Sequence, residues 1–209
     1  MIFYDCSVAP NPRRARMFIL EKGLEIETHD IPMGPGARLD PAYLEVNPGG
    51  TIPALVTDEG PVLTENLGIA AYLEARHPER PLMGRTALEK GEVLTWHAFA
   101  EFYGGAPVGE ALRNAHPAFE NRALPGRLDL PQIPALAERG HLRLTHYWDR
   151  LEERLTGREW LATDTFTLAD ITAFVFADFA RVVKARIPET HTAATAWFER
   201  IKARPSAQA

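Results

Sequence analysis

Asn47-Pro48-Gly49-Gly50-Thr51-Ile52-Pro53-Ala54-Leu55 packs prolines and glycines directly ahead of the apolar run Ala54-Leu55-Val56. A sharp turn feeding a strand is the local reading. Pro53 has no N–H to give a sheet ladder, so it marks the strand's first residue, and the Ile52–Pro53 bond in so tight a turn is a candidate for the cis form. Ile52, held extended before a proline, then presents its own N–H and C=O. That pair can hold a peptide-like ligand as an extra antiparallel strand. Local physics alone favours the plainer role of a connecting turn, so the residues around it must decide.

Working outward, Glu65-Asn66 opens a helical pattern that runs to about His77, and Pro10-Asn11-Pro12-Arg13-Arg14 opens another that Gly23 stops after Lys22. Asn11 reads as its cap, with Pro12 at the first helical position. Met1 to Tyr4 and Leu24 to Asp30 read as strands. Asp40-Pro41 starts a short helix through Val46, and Asp58-Glu59-Gly60 joins two short strands, 54–57 and 61–64, in a hairpin. The order strand-helix-strand-helix-hairpin-helix describes a mixed sheet covered by helices. Breakers in His77-Pro78-Glu79-Arg80-Pro81-Leu82 then mark a boundary, giving domains over 1–81 and 88–209 joined by a linker at 82–87.

Beyond the linker strand signals vanish. Leu88 to Tyr103, Ala135 to Leu155, Ala169 to Val183 and a segment around Ala194, Trp197, Phe198 and Ile201 carry helical spacing, and 117–134 is a proline-rich connection. Ala169 to Val183 is apolar on nearly every side, as a buried central helix should be. Thr167-Leu168-Ala169-Asp170 has capping-box spacing, which assigns Asp170 a structural rather than a catalytic role.

The chain has 209 residues, 45% hydrophobic and 24% charged, with a formal charge of −5. That balance describes an ordinary soluble globular protein and argues against a general nucleic-acid surface. Its lone cysteine, Cys6, excludes an intrachain disulfide and a cysteine-based zinc site. No apolar run suits a signal peptide or a membrane span, so a cytoplasmic setting is expected. With two serines, Ser7 and Ser206, and no Gly-x-Ser-x-Gly elbow, serine hydrolysis is disfavoured. The histidines lack the i, i+4 pairing of a helical zinc site, so no metal is expected. Gly34-Pro35-Gly36 lacks the third glycine and the helix start of a dinucleotide loop.

Taken together, the turn from Asn47 to Leu55, the pair Glu65-Asn66, Asn11 at the first helix and Phe166-Thr167-Leu168-Ala169-Asp170 resemble the glutathione transferase family in order and spacing over essentially the whole chain. The resemblance implies an α/β thioredoxin-like first domain (βαβαββα), an all-α helical-bundle second domain, glutathione as co-substrate, and a homodimer. It also implies a role for each matching residue. Ile52, set by Pro53, takes the cysteinyl amide; Glu65 pairs the α-ammonium or caps its own helix; Asn66, where the family commonly has serine, takes the α-carboxylate; Arg38 faces the glycyl carboxylate.

One departure concerns the thiol. The family places a tyrosine, serine or cysteine near the end of the first strand, or a threonine or serine two residues before the asparagine, where this chain has Ala9. Asn11 then ranks first as the group that meets the sulfur, Ser7 second and Cys6 third, with a plain helix cap as the alternative role for Asn11. Trp96, Phe99 and Tyr103 recur along one helix and are candidates for the wall that receives an apolar electrophile; core packing is the alternative for each. Three activities remain open: conjugation of glutathione to small electrophiles, glutathione-dependent disulfide or peroxide reduction, and non-catalytic ligand carriage.

Overall fold

The computed structural model describes residues 1–32 and 41–208. They form two compact units, one of Met1–Leu82 with Pro125–Arg127, the other of Met83–Leu124 with residues 128–208.

The first unit runs β1 (Ile2–Asp5), α1 (Pro10–Lys22), β2 (Glu27–Asp30), α2 (Pro41–Val46), β3 (Ala54–Val56), β4 (Val62–Leu63), α3 (Asn66–Arg76). The sheet order is β2-β1-β3-β4, with β1 and β2 parallel and β3 antiparallel to both of its neighbours. This is the thioredoxin-like arrangement implied by the resemblance. β2 is shorter than the apolar pattern from Leu24 suggests, because the four residues of β1 pair only with Glu27 to Asp30. Phe3 and Leu55, paired across the sheet, are buried along with Met17 and Phe18 of α1 and Ile69 and Leu73 of α3.

Helix α1 corrects one expectation: Asn11 is not its cap. The N-cap is Ala9, whose side chain cannot accept a hydrogen bond, and Pro10 occupies the first helical position, so Asn11 lies second within the helix. Proline's fixed φ is already helical at that position, which moves the start back from Pro12. Gly23 ends the helix at φ +69°, its N–H meeting the Ile19 and Leu20 carbonyls while Leu24 N–H bonds Ile19 O at 3.1 Å. Just before it, the buried Lys22 ammonium pairs with Glu74 and donates to His77 O at 2.8 Å and Arg80 O at 2.7 Å. Glu74 also accepts Leu82 N–H at 3.1 Å, so one lysine ties the end of α1 to the chain leaving α3.

The second unit is helical: α4 (Ala87–Phe99), a π-helical turn (Ala100–Gly105), α5 (Ala106–Arg113), α6 (Pro134–Leu155), α7 (Leu168–Phe179), α8 (Thr192–Lys202) and α9 (Pro205–Gln208). Gly104-Gly105-Ala106-Pro107 does not end the helix, contrary to the sequence expectation of a stop at Tyr103. Pro107 lacks the N–H of a regular turn. The wider turn absorbs this defect, with Ala106 N–H reaching back to Glu101 O. The glycines serve close approach: a Cβ on Gly104 would lie 2.7 Å from the Tyr147 ring, and one on Gly105 would enter the ring of Phe176.

Helix α7 is buried from Leu168 to Ala177. Asp170, in its first turn, accepts Leu161 N–H and Trp197 Nε1–H at 2.9 Å each on Oδ1, and Thr167 N–H and Oγ1–H at 3.0 Å each on Oδ2. Burial pushes its carboxyl above the ordinary range, opposed by those donors. Asp170 thus joins α7, α8 and the loop at Leu161, a structural role. The 117–134 connection contains a 3-10 turn at Pro117–Phe119 and an isolated bridge between Arg122 and Leu130.

Candidate functional site

Sheet topology collects the sequence-predicted residues of the first unit at one end. Tyr4 pairs antiparallel with Ala54, so the chain leaving β1 at Asp5 emerges beside the chain entering β3 at Pro53. β2 is parallel to β1, and β4 runs with it because it opposes β3. The ends of β1, β2 and β4 and the start of β3 therefore share one edge, which gathers Ser7, Asn11, Ile52, Pro53, Glu65 and Asn66.

The mouth of α1 is nearly stripped of donors. Pro10 and Pro12 have no N–H, and Arg13 N–H bonds back to Ala9 O at 3.3 Å. That leaves Asn11 N–H, which meets no acceptor among the described residues. The Asn11 side chain adds a second donor. Its Oδ1 accepts from Arg14 Nη2 at 3.1 Å, and a guanidinium can only donate, so the amide orientation is settled and Nδ2 is left for a ligand. Ser7 is exposed, with its N–H on Asp30 Oδ1 at 2.9 Å. Cys6 is buried; burial pushes its thiol up, partly opposed by backbone hydrogen bonds at Val8 and Ala9, and the Asp30 and Asp5 charges raise it further. It packs as a protonated small residue.

The turn is held from inside. Asn47, buried at 4% exposure, donates Nδ2 to Thr51 O at 2.7 Å and to Thr51 Oγ1 at 3.3 Å, and its Oδ1 accepts Gly49 N–H at 3.0 Å. Tyr43 O–H also donates to Thr51 O. The Ile52–Pro53 bond is cis. Ile52 N–H and C=O have no hydrogen-bond partner among the described residues. Half-buried and unpaired beside a braced turn, this pair is a ready edge for an extended peptide.

Glu65 is the exposed, extended N-cap of α3, but its side chain makes no cap hydrogen bond, which removes the capping role weighed for it. Asn66 follows at 6% exposure, and its Oδ1 has no partner among the described residues. The first-turn N–H groups of α3 thus lack a side-chain cap and face a site suited to an anion. Arg38 lies outside the described residues, as do Gly34 to Gly36 and Asp40.

Trp96, Phe99 and Tyr103 belong to the second unit and are half-buried. Phe99 stacks on Tyr103 at 5.0 Å between centroids and meets Trp96 at 5.1 Å and Tyr147 at 5.7 Å. Tyr103 also meets His146, and the Arg154 guanidinium lies 4.8 Å from the Trp96 ring. Much of their ring surface therefore goes into packing α4 and the π turn on α6.

Sequence reasoning missed the residues that hold the β1–α1 loop. Asp5 Oδ1 accepts Cys6 N–H at 2.7 Å, and both carboxylate oxygens accept from Arg16 Nη1 at 2.6 Å. One signal was available: Asp5 shares the inward face of β1 with Phe3, a place where an unpaired carboxylate is costly. A groove of about 570 Å³ lies along β2 and α1, lined by Phe3, Arg16, Ile19, Leu20, Leu24 and Ile26 among others. No cluster of three or more metal-ligating side chains occurs among the described residues, and no described helix is long and apolar enough to cross a membrane.

Comparison with known proteins assigns this arrangement to a class. The pattern of the glutathione S-transferase N-terminal domain matches residues 8–76, and that of the C-terminal domain matches residues 131–205. The chain belongs to the glutathione S-transferase family, enzymes whose co-substrate is glutathione. Glutathione S-transferase 2 of Saccharomyces cerevisiae is 31% identical over 208 residues, covering 99% of this chain and 87% of its own. The crystal structure of Gtt2 from the same yeast superimposes with a TM-score of 0.87 at 30% identity, covering 100% of this chain and 99% of that one. The disulfide-bond oxidoreductase YfcG of Escherichia coli is 26% identical over 94% of this chain and 88% of its own.

Proposed function

We propose that this chain activates the glutathione thiol and conjugates it to small apolar electrophiles. The observation that carries this reading is the set of open polar groups at one end of the sheet: the two donors of Asn11, the main-chain pair of Ile52, and the first-turn N–H groups at the uncapped start of α3, beside which Asn66 donates from its side-chain Nδ2. They match a thiolate, a cysteinyl amide and a γ-glutamyl α-carboxylate. Glu65 is free of cap duty to meet the ammonium, Arg38 serves the glycyl carboxylate, and Pro53 sets the Ile52 geometry.

The energetics suffice without a hydroxyl. Bringing a thiol from a pKa near 8.5 down by about two requires roughly 2.7 kcal/mol of preference for the thiolate. A hydrogen bond to a charged acceptor contributes about 1.5–3 kcal/mol and a helix N-terminus about 0.3–1. Asn11 N–H and Nδ2–H together supply that range, with Ser7 the second candidate. The sulfur then attacks the electrophilic carbon, a C–S bond forms, and the leaving group departs with its electron pair. Trp96, Phe99 and Tyr103 are the residues proposed to line the electrophile's side.

A second reading has one observation in its favour. Ala9 at the N-cap offers no hydroxyl, and glutathione-dependent disulfide or peroxide reduction can proceed on an asparagine donor. Chloronitrobenzene conjugation beside disulfide reduction separates the two. Conjugation that Asn11→Ala lowers at least tenfold supports the first, on the scale of one charge-assisted hydrogen bond; reduction alone supports the second. Tight glutathione binding without turnover supports a carrier.

The reading also takes the chain to be a cytoplasmic homodimer, in the compartment where glutathione keeps thiols reduced. Leu88, at 75% exposure, and Phe102, at 60%, lie with Gly91, Leu94, Thr95 and Ala98 on the solvent side of α4 and the π turn, an apolar face that a second copy can cover. Sedimentation of the native protein and of Phe102→Glu tests this: a dimer that the charge dissociates is expected, and a monomeric native protein refutes it.

A further inference from the structure

The loop between β1 and α1 is short, yet charged side chains hold it from several directions. Asp5, at the end of β1, takes Cys6 N–H. Asp30, at the end of β2, takes Ser7 N–H. Arg16, in the second turn of α1, spans Asp5 with Nη1 and directs Nη2 at Ser7 O, 3.4 Å away. Ala9 N–H closes the turn on Cys6 O at 3.0 Å. Residues 6 and 7 are therefore pinned at both N–H groups and at both carbonyls.

We propose that Arg16 is a positioning residue for the thiol: with Asp5 and Asp30 it fixes the Cys6–Ala9 turn, and through that turn the direction in which Asn11 presents its two donors. The proposal rests on the glutathione reading above. Its physical basis is the N-cap. An ordinary cap side chain ties the preceding loop to the first turn of its helix, and Ala9 has none, so the loop must be oriented from elsewhere. Side chains on a helix lean toward its N-terminus, which carries Arg16 back over the loop. A guanidinium fork bonds carboxylate and carbonyl together, where a lysine ammonium on its flexible stem acts as a point charge. Two donors on one residue converge on a sulfur only within a narrow range, and a displacement of about 1 Å costs roughly a hundredfold in rate.

The test compares native protein, Arg16→Met, Arg16→Lys and Lys22→Met, which loosens the opposite end of the same helix. Ultraviolet absorbance of the bound thiolate is titrated with pH, glutathione affinity is measured by calorimetry, and exchange of the Cys6 and Ser7 amides is followed by NMR. Arg16→Met is expected to raise the apparent pKa of the bound thiol by about one, to lower kcat/KM at neutral pH about tenfold, and to change affinity by less than about threefold. Exchange at Cys6 and Ser7 speeds up, Arg16→Lys recovers part of each effect, and Lys22→Met lowers the melting temperature without moving the thiol pKa.

Arg16→Met with the native thiol pKa and kcat/KM overturns the proposal. Should Arg16→Met fail to fold, Asp30→Ala removes the acceptor of Ser7 N–H and carries the same expectation and the same refutation. A native complex whose bound thiol titrates no lower than that of free glutathione overturns the glutathione reading and this proposal with it; a lowered native thiol pKa indifferent to Arg16 overturns this proposal alone.

Discussion

Replacing Asn47 by alanine separates the grip on glutathione from the chemistry on its sulfur. The side chain makes two short hydrogen bonds, 2.7 Å to Thr51 O and 3.0 Å from Gly49 N–H, and a longer one of 3.3 Å to Thr51 Oγ1. At about 1 kcal/mol each for the short pair, with the long one discounted, the loss is about 2 kcal/mol. Thr51 O keeps the Tyr43 hydroxyl, and Gly49 is exposed enough for water to replace its partner, so the figure does not grow through orphaned groups. In a chain of this size it lowers the melting temperature by about 4–8 °C. If binding must first rebuild the turn, most of the same energy reappears as a loss of affinity, at most about thirtyfold. On the proposed reading Ile52 holds the cysteinyl main chain rather than the sulfur, and so grips ground and transition states alike, and KM for glutathione should rise with kcat nearly constant. Calorimetric titration and steady-state kinetics read both. A lower melting temperature with unchanged affinity would show that the peptide is not held at Ile52; a fall in kcat at constant KM would show that the turn serves the chemistry rather than the grip.

Other perturbations test the frame around the site. Lys22→Met strips a buried ammonium from Glu74 and two carbonyls, and because Glu74 keeps Leu82 N–H and some exposure the loss should be about 2–4 kcal/mol, read from the urea midpoint. For Asp170, burial outweighs its four donors and raises the folded carboxyl above its unfolded pKa of about 3.9. Its contribution to stability is therefore fully present below that value and is lost as pH rises through the folded one, so Asp170→Asn should flatten this part of the pH–stability curve; an unaltered curve refutes the sign. Cys6 should resist alkylation in the folded protein well above pH 7 and react freely in urea, and its contribution should be lost only as pH climbs past the ordinary 9.0. Cys6→Ala should retain conjugation within about a factor of two, which removes it as the sulfur's partner if observed.

What could be read without coordinates follows the range of the forces involved. Gly23, the Thr167–Asp170 box and the turn ahead of Ala54 are decided within a few residues, and each takes the form its sequence implies. Tertiary needs override local signals elsewhere. Gly104-Gly105-Ala106-Pro107 has every mark of a helix stop, yet the helix continues, because Tyr147 and Phe176 need the space that the glycines leave. At the site, Ile52 and Asn66 were legible as types at a spacing. The Asp5–Arg16–Asp30 brace was not, since Asp5 and Asp30 meet the same loop only after β1 and β2 pair in parallel.

The place of Ala9 ties these strands together. A hydroxyl there would cap α1 and offer the sulfur a donor at once, so its absence leaves the loop without a tether and the thiol without its usual partner. Two features of this chain answer the two losses separately. The fork of Arg16 on Asp5 and Ser7 holds the loop, and the prolines flanking Asn11 leave a single main-chain donor at the helix mouth, beside an amide whose oxygen Arg14 already occupies. Adding a hydroxyl back therefore discriminates between them. Ala9→Ser should restore about 1 kcal/mol of stability to Arg16→Met through the cap alone, as any N-cap serine does, a rise of about 2–4 °C in melting temperature. It should lower the thiol pKa in the native protein and in Arg16→Met alike if the hydroxyl acts on the sulfur directly, and in Arg16→Met alone if the cap restores the orientation of the first turn that Arg16 supplies.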